Sequence, residues 1–159
     1  MMTNQSPVQM PLSTHGGAKS DVRTQFAALC WRRRPRDGKV QVLLVTSRGI
    51  GRWIVPKGWP IDGRTPAQTA ALEAWEEAGA KGKALDRCLG LYSYAKWLGP
   101  NDDLPVVVAV FPVEVDMLSV RWPEGGERKR RWFLPKKAAK KVDEPELSAI
   151  IAGFDPSIL

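Results

Sequence analysis

Cysteine and histidine are scarce in this sequence, whose 159 residues contain only Cys30, Cys88 and His15. The two cysteines are too few for a zinc-finger set, and no C-x-x-C pair occurs. We therefore expect no structural zinc site, no haem and no disulfide framework. So few cysteines are typical of a protein that folds in a reducing compartment, and the predicted location is the cytoplasm.

Long hydrophobic runs are also missing from the sequence. No apolar stretch approaches the ~20 residues that a membrane-spanning helix needs. The polar N-terminus lacks the apolar centre of a signal peptide. We predict that residues 1–21 form a disordered polar tail, that residues 22–159 form a single domain, and that no membrane is involved.

The charge is strongly positive, because 24 Lys and Arg against 17 Asp and Glu give a net charge of +7. This excess favours an anionic partner, and charge alone leaves nucleic acid, phosphorylated metabolites and acidic lipid head groups open. Eight of the 24 cations lie within residues 128–141, a segment without an acid. Such a run fits a solvated face as well as an anion-binding surface.

Hydrophobic patterning and turn signals predict a mixed α/β order of strands, one helix, more strands and two further helices. The predicted strands cover residues 22–32, 39–47, 52–55, 91–97, 104–115 and 132–134. The predicted helices cover residues 65–79, 135–142 and 144–154, and residues 57–64 are predicted to form a loop.

The helix over residues 65–79 has the clearest boundaries. Thr65 is a suitable N-cap, Pro66 suits the first helical position, and Gln68 completes a capping box. Gly79 suits the left-handed residue that follows a helix. A stripe of small residues, suited to close packing on a sheet, is formed by Ala67, Ala71, Ala74 and Ala78.

The same helix carries a carboxylate cluster, since Glu73, Glu76 and Glu77 recur at i, i+3 and i+4 and fall within an arc of about 100°. Like charges at i,i+4 destabilise a helix by about 0.2–0.5 kcal/mol. No Lys or Arg between residues 66 and 80 offsets them. Taken alone, the cluster fits a solvated acidic face; the alternative is a site for Mg²⁺, which prefers carboxylate oxygens.

From residue 58 the sequence reads GWPIDGRTPAQTAALEAWEEAGA. This string resembles the signature of the Nudix hydrolases: Gly, five residues, Glu, seven residues, then Arg-Glu-aliphatic-x-Glu-Glu-x-Gly-aliphatic. The resemblance implies the Nudix fold, a mixed β-sheet sandwiched between α-helices. Two charged positions depart from the signature: Arg64 replaces its first Glu, near Asp62, and Leu72 replaces its Arg. Five fixed positions match in spacing: Gly58, Glu73, Glu76, Glu77 and Gly79.

Further segments, at residues 42–48, 52–56 and 128–133, resemble the diphosphoinositol polyphosphate phosphohydrolase branch, which also includes dinucleoside polyphosphate hydrolases. The likeness covers roughly residues 22–154. Guanidinium groups suit phosphate because they offer paired N–H donors. By resemblance, the substrate-binding residues are Arg23, Thr46, Ser47, Arg48, Lys57, Gly58, Trp59, Lys96, Arg128 and Lys129.

The resemblance implies a metal-dependent pyrophosphohydrolase with Glu76 and Glu73 as its catalytic residues. Glu73 and Glu77, with the Gly58 carbonyl, would hold Mg²⁺ or Mn²⁺, and Glu76 would take the proton of the attacking water. Two acids outside the motif are reserve candidates for the base: Glu124 and Glu127.

The predicted partner is an anionic polyphosphate small molecule of the diphosphoinositol polyphosphate or diadenosine polyphosphate type, handled by a monomer or a homodimer. The alternative is a catalytically weak Nudix-fold protein that binds nucleotide or RNA, although nucleic acid is not favoured. We expect Trp59 and Trp97 to pack at the core or the rim, with stacking on a nucleobase as the alternative.

Overall fold

The structure is a computed structural model, and it describes residues 9–159; residues 1–8 of the predicted tail lie outside this range. Within this range the strands are β1 (Arg23–Arg33), β2 (Val40–Thr46), β3 (Trp53–Ile54), β4 (Lys57–Gly58), β5 (Ala80–Ala84), β6 (Gly90–Gly99), β7 (Asp102–Leu118) and β8 (Arg130–Phe133). The α-helices are α1 (Pro66–Ala78), α2 (Pro135–Lys141) and α3 (Pro145–Ala152). Every helix of residues 9–159 falls short of the length and apolar character needed to cross a bilayer.

The eight strands form one mixed sheet, whose main path runs β3-β2-β1-β7-β5. Strands β1 and β7 are parallel, from Arg23 opposite Val106 to Trp31 opposite Glu114. The other pairs among the described strands are antiparallel; β4 adds to β1, β6 to β7 and β8 to β2. The predicted mixed sheet is confirmed.

Helices cover both faces of this sheet, so the predicted sandwich is also confirmed. Successive strand residues point to opposite faces, and Ala28 and Cys30 of β1 accordingly belong to one core cluster while Ala27 and Leu29 belong to the other. The first cluster is completed by α1 and the second by α2 and α3. The buried alanines of α1 are Ala67, Ala70, Ala74 and Ala78.

Helix α1 begins and ends where its caps predict. The Thr65 hydroxyl accepts a hydrogen bond from Gln68 N–H at 3.2 Å, and the Gln68 side chain accepts one from Thr65 N–H at 2.9 Å. Gly79 follows the helix with φ of 65°, where a side chain would be strained and would also meet Arg130 and Trp122. These local signals fix the start and the end of the helix.

The loop between β7 and β8 holds the last turn of α1. Carbonyl groups at a helix C-terminus have no partner within the helix and need donors from elsewhere. Here the loop and the start of β8 supply those donors. The four bonds run from Ser119 N to Gly79 O (2.8 Å), Trp122 Nε1 to Glu77 O (3.0 Å), Glu124 N to Glu76 O (3.0 Å) and Arg130 Nη1 to Ala78 O (2.8 Å).

Two short strands were not predicted from the sequence pattern. Strand β4 lies within residues 57–64, where a loop was predicted, and two residues are too short to show a period. Strand β5 carries exposed Lys81 and Lys83 and a register shift beside Gly82. An edge strand of this composition has no hydrophobic alternation to reveal it.

The N-terminal segment that the structure describes lies against β6, which pairs only with β7 among the described strands. The Gln9 side chain accepts a hydrogen bond from Leu91 N–H at 2.5 Å and donates one to the Leu91 carbonyl at 2.6 Å. Ser13 N–H donates to Ser93 Oγ at 3.2 Å. The polar composition of this segment predicts a disordered tail. Composition carries no information about bonds such as those of the Gln9 amide to the edge of a strand.

Candidate active site

A cleft of about 580 Å³ lies between the β2–β3 loop, β4, α1, β6 and the loop before β8. The predicted site residues that line it come from these five separate parts of the chain. Ten of the predicted site residues line it: Ser47, Arg48, Lys57, Gly58, Trp59, Glu73, Glu77, Lys96, Glu124 and Arg128.

Gly58 and Glu73 are in close contact at the floor of the cleft. A Cβ atom at residue 58 would collide with both carboxylate oxygens of Glu73. The contact therefore requires glycine, because only a residue without a side chain lets the carboxylate lie against the β4 backbone. Strand β4 is placed there by its pairing with β1, where Gly58 is opposite Phe26.

Glu77 is a buried carboxylate whose two oxygens both accept hydrogen bonds. Its Oε2 accepts from Lys57 N–H at 2.7 Å, and its Oε1 accepts from Arg128 Nη2 at 2.8 Å. The Glu77 and Arg128 side chains are 7% and 6% exposed, so this is a buried ion pair. Charged groups are tolerated in such surroundings when they are paired and hydrogen-bonded.

The other two nitrogens of the Arg128 guanidinium also donate hydrogen bonds. Nη1 donates to the Thr46 carbonyl at 3.0 Å, and Nε donates to Glu124 Oε1 at 3.1 Å. Glu124 lies in turn 3.8 Å from Arg48, which is 3.5 Å from Glu127. Arg128 therefore joins helix α1 to the end of β2 and to the loop before β8.

The surroundings of the carboxylates in the cleft disfavour their charged form. Burial, followed by the nearby charges of Glu77, Glu76 and Glu124, raises the pKa of Glu73 to about 7. Burial also raises the pKa of Glu77, although Arg128 and Lys57 act in the opposite direction. A cation beside these acids would relieve both effects.

The oxygen donors of Glu73, Glu77 and the Gly58 backbone fit a hard divalent cation. Glu73 and Glu77 lie on one face of α1 beside the backbone of Gly58, so the site offers carboxylate and carbonyl oxygens, which Mg²⁺ prefers. The pKa of Glu73, raised first by burial and then by the nearby acids, agrees with this chemistry. In the conformation seen for residues 9–159, however, no three His, Cys, Asp or Glu side chains converge as a metal-binding group.

Five predicted site residues lie outside the lining of this cleft. Thr46 uses its hydroxyl to accept a hydrogen bond from Lys129 N–H at 2.9 Å, and the Arg23 guanidinium lies against carbonyl groups of its own segment. The other two are acids: Glu76 is half-buried on α1, and Glu127 is exposed on the loop before β8.

The two positions that depart from the Nudix signature lie elsewhere. Arg64 and Leu72 line a separate cleft of about 720 Å³, together with Asp62 and Trp75. Neither lines the cleft that contains Glu73 and Glu77.

The sequence did not single out Arg52 and Tyr94, which both line the cleft. Arg52 Nη1 is 3.0 Å from Asp143 Oδ2 and 3.5 Å from Glu144 Oε1, so long-range pairs hold it. The Tyr94 ring lies 5.1 Å from Lys57 Nζ. A usable signal for Tyr94 is its spacing of two residues from Lys96, which places both on one face of β6. For Arg52 no local pattern points to the site.

The family model described as NUDIX domain matches residues 23–154, which is most of the chain. The chain belongs to the Nudix family. The predicted family, and with it the prediction of a Nudix hydrolase, is thereby confirmed.

Curated relatives of this Nudix chain are named as phosphohydrolases. Diphosphoinositol polyphosphate phosphohydrolase 2 of Rattus norvegicus is 34% identical over 133 residues, which cover 82% of this chain and 68% of that protein. Diphosphoinositol polyphosphate phosphohydrolase 3-beta of Homo sapiens is 38% identical over 121 residues, which cover 74% of this chain and 68% of that protein.

Solved Nudix structures share the fold. The C. elegans Ap4A hydrolase has a TM-score of 0.57 and 19% identity, covering 82% of this chain and 94% of that one. The E. coli dihydroneopterin triphosphate pyrophosphohydrolase has a TM-score of 0.60 and 16% identity, covering 82% and 93%. At these identities the likeness establishes the fold alone.

Proposed function

We propose that this Nudix hydrolase is a metal-dependent pyrophosphohydrolase that cleaves a P–O–P bond in a diphosphoinositol polyphosphate or a diadenosine polyphosphate. The observation that carries the proposal is the cleft itself, in which the Glu73 and Glu77 carboxylates lie among cationic side chains. The names of the curated relatives support the diphosphoinositol polyphosphate as substrate.

The residues that would hold Mg²⁺ or Mn²⁺ are Glu73, Glu77 and the carbonyl of Gly58. When bound, the ion would offset the charge of the polyphosphate and lower the pKa of a bound water. Glu77 is held in position by Arg128 and by Lys57 N–H. Its two oxygens keep further lone pairs, since a carboxylate has about four acceptor sites.

Glu76 is assigned as the base that takes the proton of the attacking water. Glu124 is the competing candidate for this base, because its carboxylate lines the cleft while that of Glu76 does not. Arg48 and Lys96 would bind phosphate oxygens from two sides of the cleft, through charge-assisted hydrogen bonds.

The positions of Arg64 and Leu72 favour an active enzyme over the alternative of a weak, nucleotide- or RNA-binding Nudix-fold protein. Both line the separate cleft, so neither replaces a side chain that lines the cleft of Glu73 and Glu77. The alternative would be supported by salt-sensitive RNA binding without metal-dependent hydrolysis.

The test is product release from a panel of diadenosine tetra- and pentaphosphate, diphosphoinositol polyphosphate, ADP-ribose and dGTP. Each compound is assayed with Mg²⁺, with Mn²⁺ and with a chelator. We expect hydrolysis of a diphosphoinositol or diadenosine compound that stops when the metal is removed. Hydrolysis that persists in chelator, or a folded protein that cleaves none of the five, contradicts the proposal.

The location and the assembly of the protein belong to the same proposal. A cytoplasmic enzyme agrees with Cys30 and Cys88, which are both free thiols. A monomer or a homodimer, acting on a small anionic substrate, is the assembly we propose.

A further inference from the structure

Two basic segments that are distant in the sequence meet at the end of the sheet where β2 begins. Residues 32–39, which include the turn between β1 and β2, contain five cations and one acid, and residues 128–141 contain eight cations and no acid. Strand β8 pairs with β2, where Phe133 is opposite Val42, and α2 follows β8 after one residue. The fold therefore places the cations of α2 beside those of the turn.

A pocket of about 650 Å³ lies between this turn, β2, β8 and α2, and we call it the basic pocket. Arg34 lines it from the turn, and three lysines line it from α2: Lys137, Lys140 and Lys141. Among the described residues that line it, none is an Asp or a Glu, and none also lines the cleft that contains Glu73. Its volume is in the range of sites that bind small ligands.

The charges around the basic pocket repel one another. Lys137, Lys140 and Lys141 recur at i, i+3 and i+4, the spacing at which like charges destabilise a helix. The helix dipole favours cations in the last turn of α2. It does not account for Arg34, which comes from another element and adds to the same charge. An anion in the basic pocket would relieve this repulsion.

The donors of the basic pocket suit the oxygens of phosphate. Arg34 Nε and Nη2 donate to Asp37 at 2.9 and 2.6 Å, so Nη1 carries the guanidinium donors that this pair does not use. Gln41, which also lines the pocket, is 8% exposed and accepts a hydrogen bond from Arg32 Nε through its Oε1 at 3.0 Å. Its amide nitrogen is the part that this bond does not use. With the three lysine ammonium groups, these donors can form charge-assisted hydrogen bonds to several phosphate oxygens at once.

The surroundings favour a small phosphorylated anion over a nucleic acid strand or a membrane. Arg32 covers one face of the Trp132 ring, with Cζ 4.3 Å from the ring centroid, and the Trp132 side chain packs against the core cluster completed by α1. This ring is thus engaged within the protein, whereas single-strand binders stack bases on free aromatic faces. The large exposed hydrophobic side chains of residues 9–159 lie in other parts of the fold, so the pocket lacks the apolar anchors of a membrane-binding helix.

We propose that the basic pocket is a second anion-binding site, which takes a compact group of several phosphates, carried on a linear chain or on a ring. Gln41 in the pocket and Thr46, whose carbonyl holds Arg128 at the cleft, are five residues apart on β2, which is about 16 Å at ~3.3 Å per residue. A ligand here therefore leaves the cleft open, and its binding does not depend on the proposed hydrolase function.

The experiment follows the binding of tripolyphosphate and of inositol hexakisphosphate by NMR, in the presence of a chelator. The reporters are the Trp132 indole N–H and the backbone amides of residues 137–141. We expect these signals to shift and to saturate in the wild type. The triple variant Lys137→Gln, Lys140→Gln, Lys141→Gln should raise the Kd measured at Trp132 at least about 10-fold, as the loss of a single charge-assisted hydrogen bond would. The probe with the lower Kd shows whether the site prefers a linear chain or a ring.

The matched control replaces Lys19, Lys81 and Lys83 by Gln, which removes the same three charges. These lysines are exposed and lie outside both the basic pocket and the cleft that contains Glu73, so this variant should keep the wild-type Kd. Amide signals outside the pocket show that each variant is folded.

The inference is overturned if neither probe shifts the Trp132 signal in the wild type, or if the control variant loses as much affinity as the pocket variant. Vesicles of phosphatidylserine and an oligouridylate are titrated in the same way. If either of them binds more tightly than both phosphate probes, with an affinity that only the pocket variant lowers, the partner is a membrane or a nucleic acid and the proposal is wrong.

Discussion

Arg128 Nη2 lies 2.8 Å from Glu77 Oε1, and neither side chain is more than 7% exposed. The sequence predicted Arg128 as a contact to substrate phosphate. In the structure its guanidinium bonds instead to Glu77, Glu124 and the Thr46 carbonyl. We therefore propose that Arg128 positions Glu77, which is the carboxylate assigned to the metal.

Replacing Arg128 by Met should lower the free energy of unfolding by about 3–5 kcal/mol, because it leaves Glu77 buried without its partner. Urea denaturation in the presence of a chelator measures this loss. Arg121→Met is the matched control, since Arg121 is exposed, and it should change stability little. An Arg128→Met protein as stable as the wild type would contradict the importance of the buried pair.

Replacing Gly58 by Ala should weaken activation by Mg²⁺ and leave the fold unchanged. The new Cβ displaces the Glu73 carboxylate, whose flexible side chain can swing away. We expect the Mg²⁺ concentration for half-maximal activity to rise about 10- to 100-fold, as when a residue that orients a metal ligand is altered. In Gly126→Ala the added Cβ meets no atom within 4 Å, so the metal titration should match that of the wild type. An unchanged Mg²⁺ titration for Gly58→Ala would show that the Gly58–Glu73 contact does not contribute to metal binding.

The stability of the metal-free protein should fall as pH rises from about 4.5 to about 7. The pKa of Glu73 is about 7 in the folded state against an ordinary value of 4.5, so the folded state binds more protons between those values. The stabilisation is fully present below pH 4.5 and is lost as pH rises through 7. Thermal unfolding in chelator should show that Glu73→Gln gains stability relative to the wild type at pH 8 but not at pH 4. Glu114→Gln, at an exposed position, should show no such difference; equal effects of Glu73→Gln at both pH values would disprove the prediction.

The base is assigned by comparing Glu76→Gln with Glu124→Gln. Loss of a general base lowers turnover by about 10²- to 10⁴-fold. We expect this loss in kcat for Glu76→Gln, with the Mg²⁺ titration unchanged, and a smaller effect for Glu124→Gln. Glu127→Gln serves as a third comparison on the exposed part of the loop. If Glu124→Gln is inactive while Glu76→Gln is active, the base is Glu124.

The sequence predicted local structure better than long-range contacts. The bounds of α1 follow from Thr65, Gln68 and Gly79, because a cap is formed by residues within one turn. The partner of Glu77 is 51 residues away in the chain, and that of Arg52 is 91 residues away. Such pairs depend on how the sheet brings distant segments together, and no spacing within either segment encodes them.

The bonds between the β7–β8 loop and the last turn of α1 also bear on how the cleft moves. Four carbonyl groups in succession, from residue 76 to residue 79, are held by this loop and by β8. The last turn of α1 and the loop therefore form one cooperative unit, in which amide protons near Glu77 should exchange slowly. The β2–β3 loop, with Arg48 and Ile50, is closed by two bonds between Ser47 and Arg52, so we expect faster amide exchange on that side of the cleft.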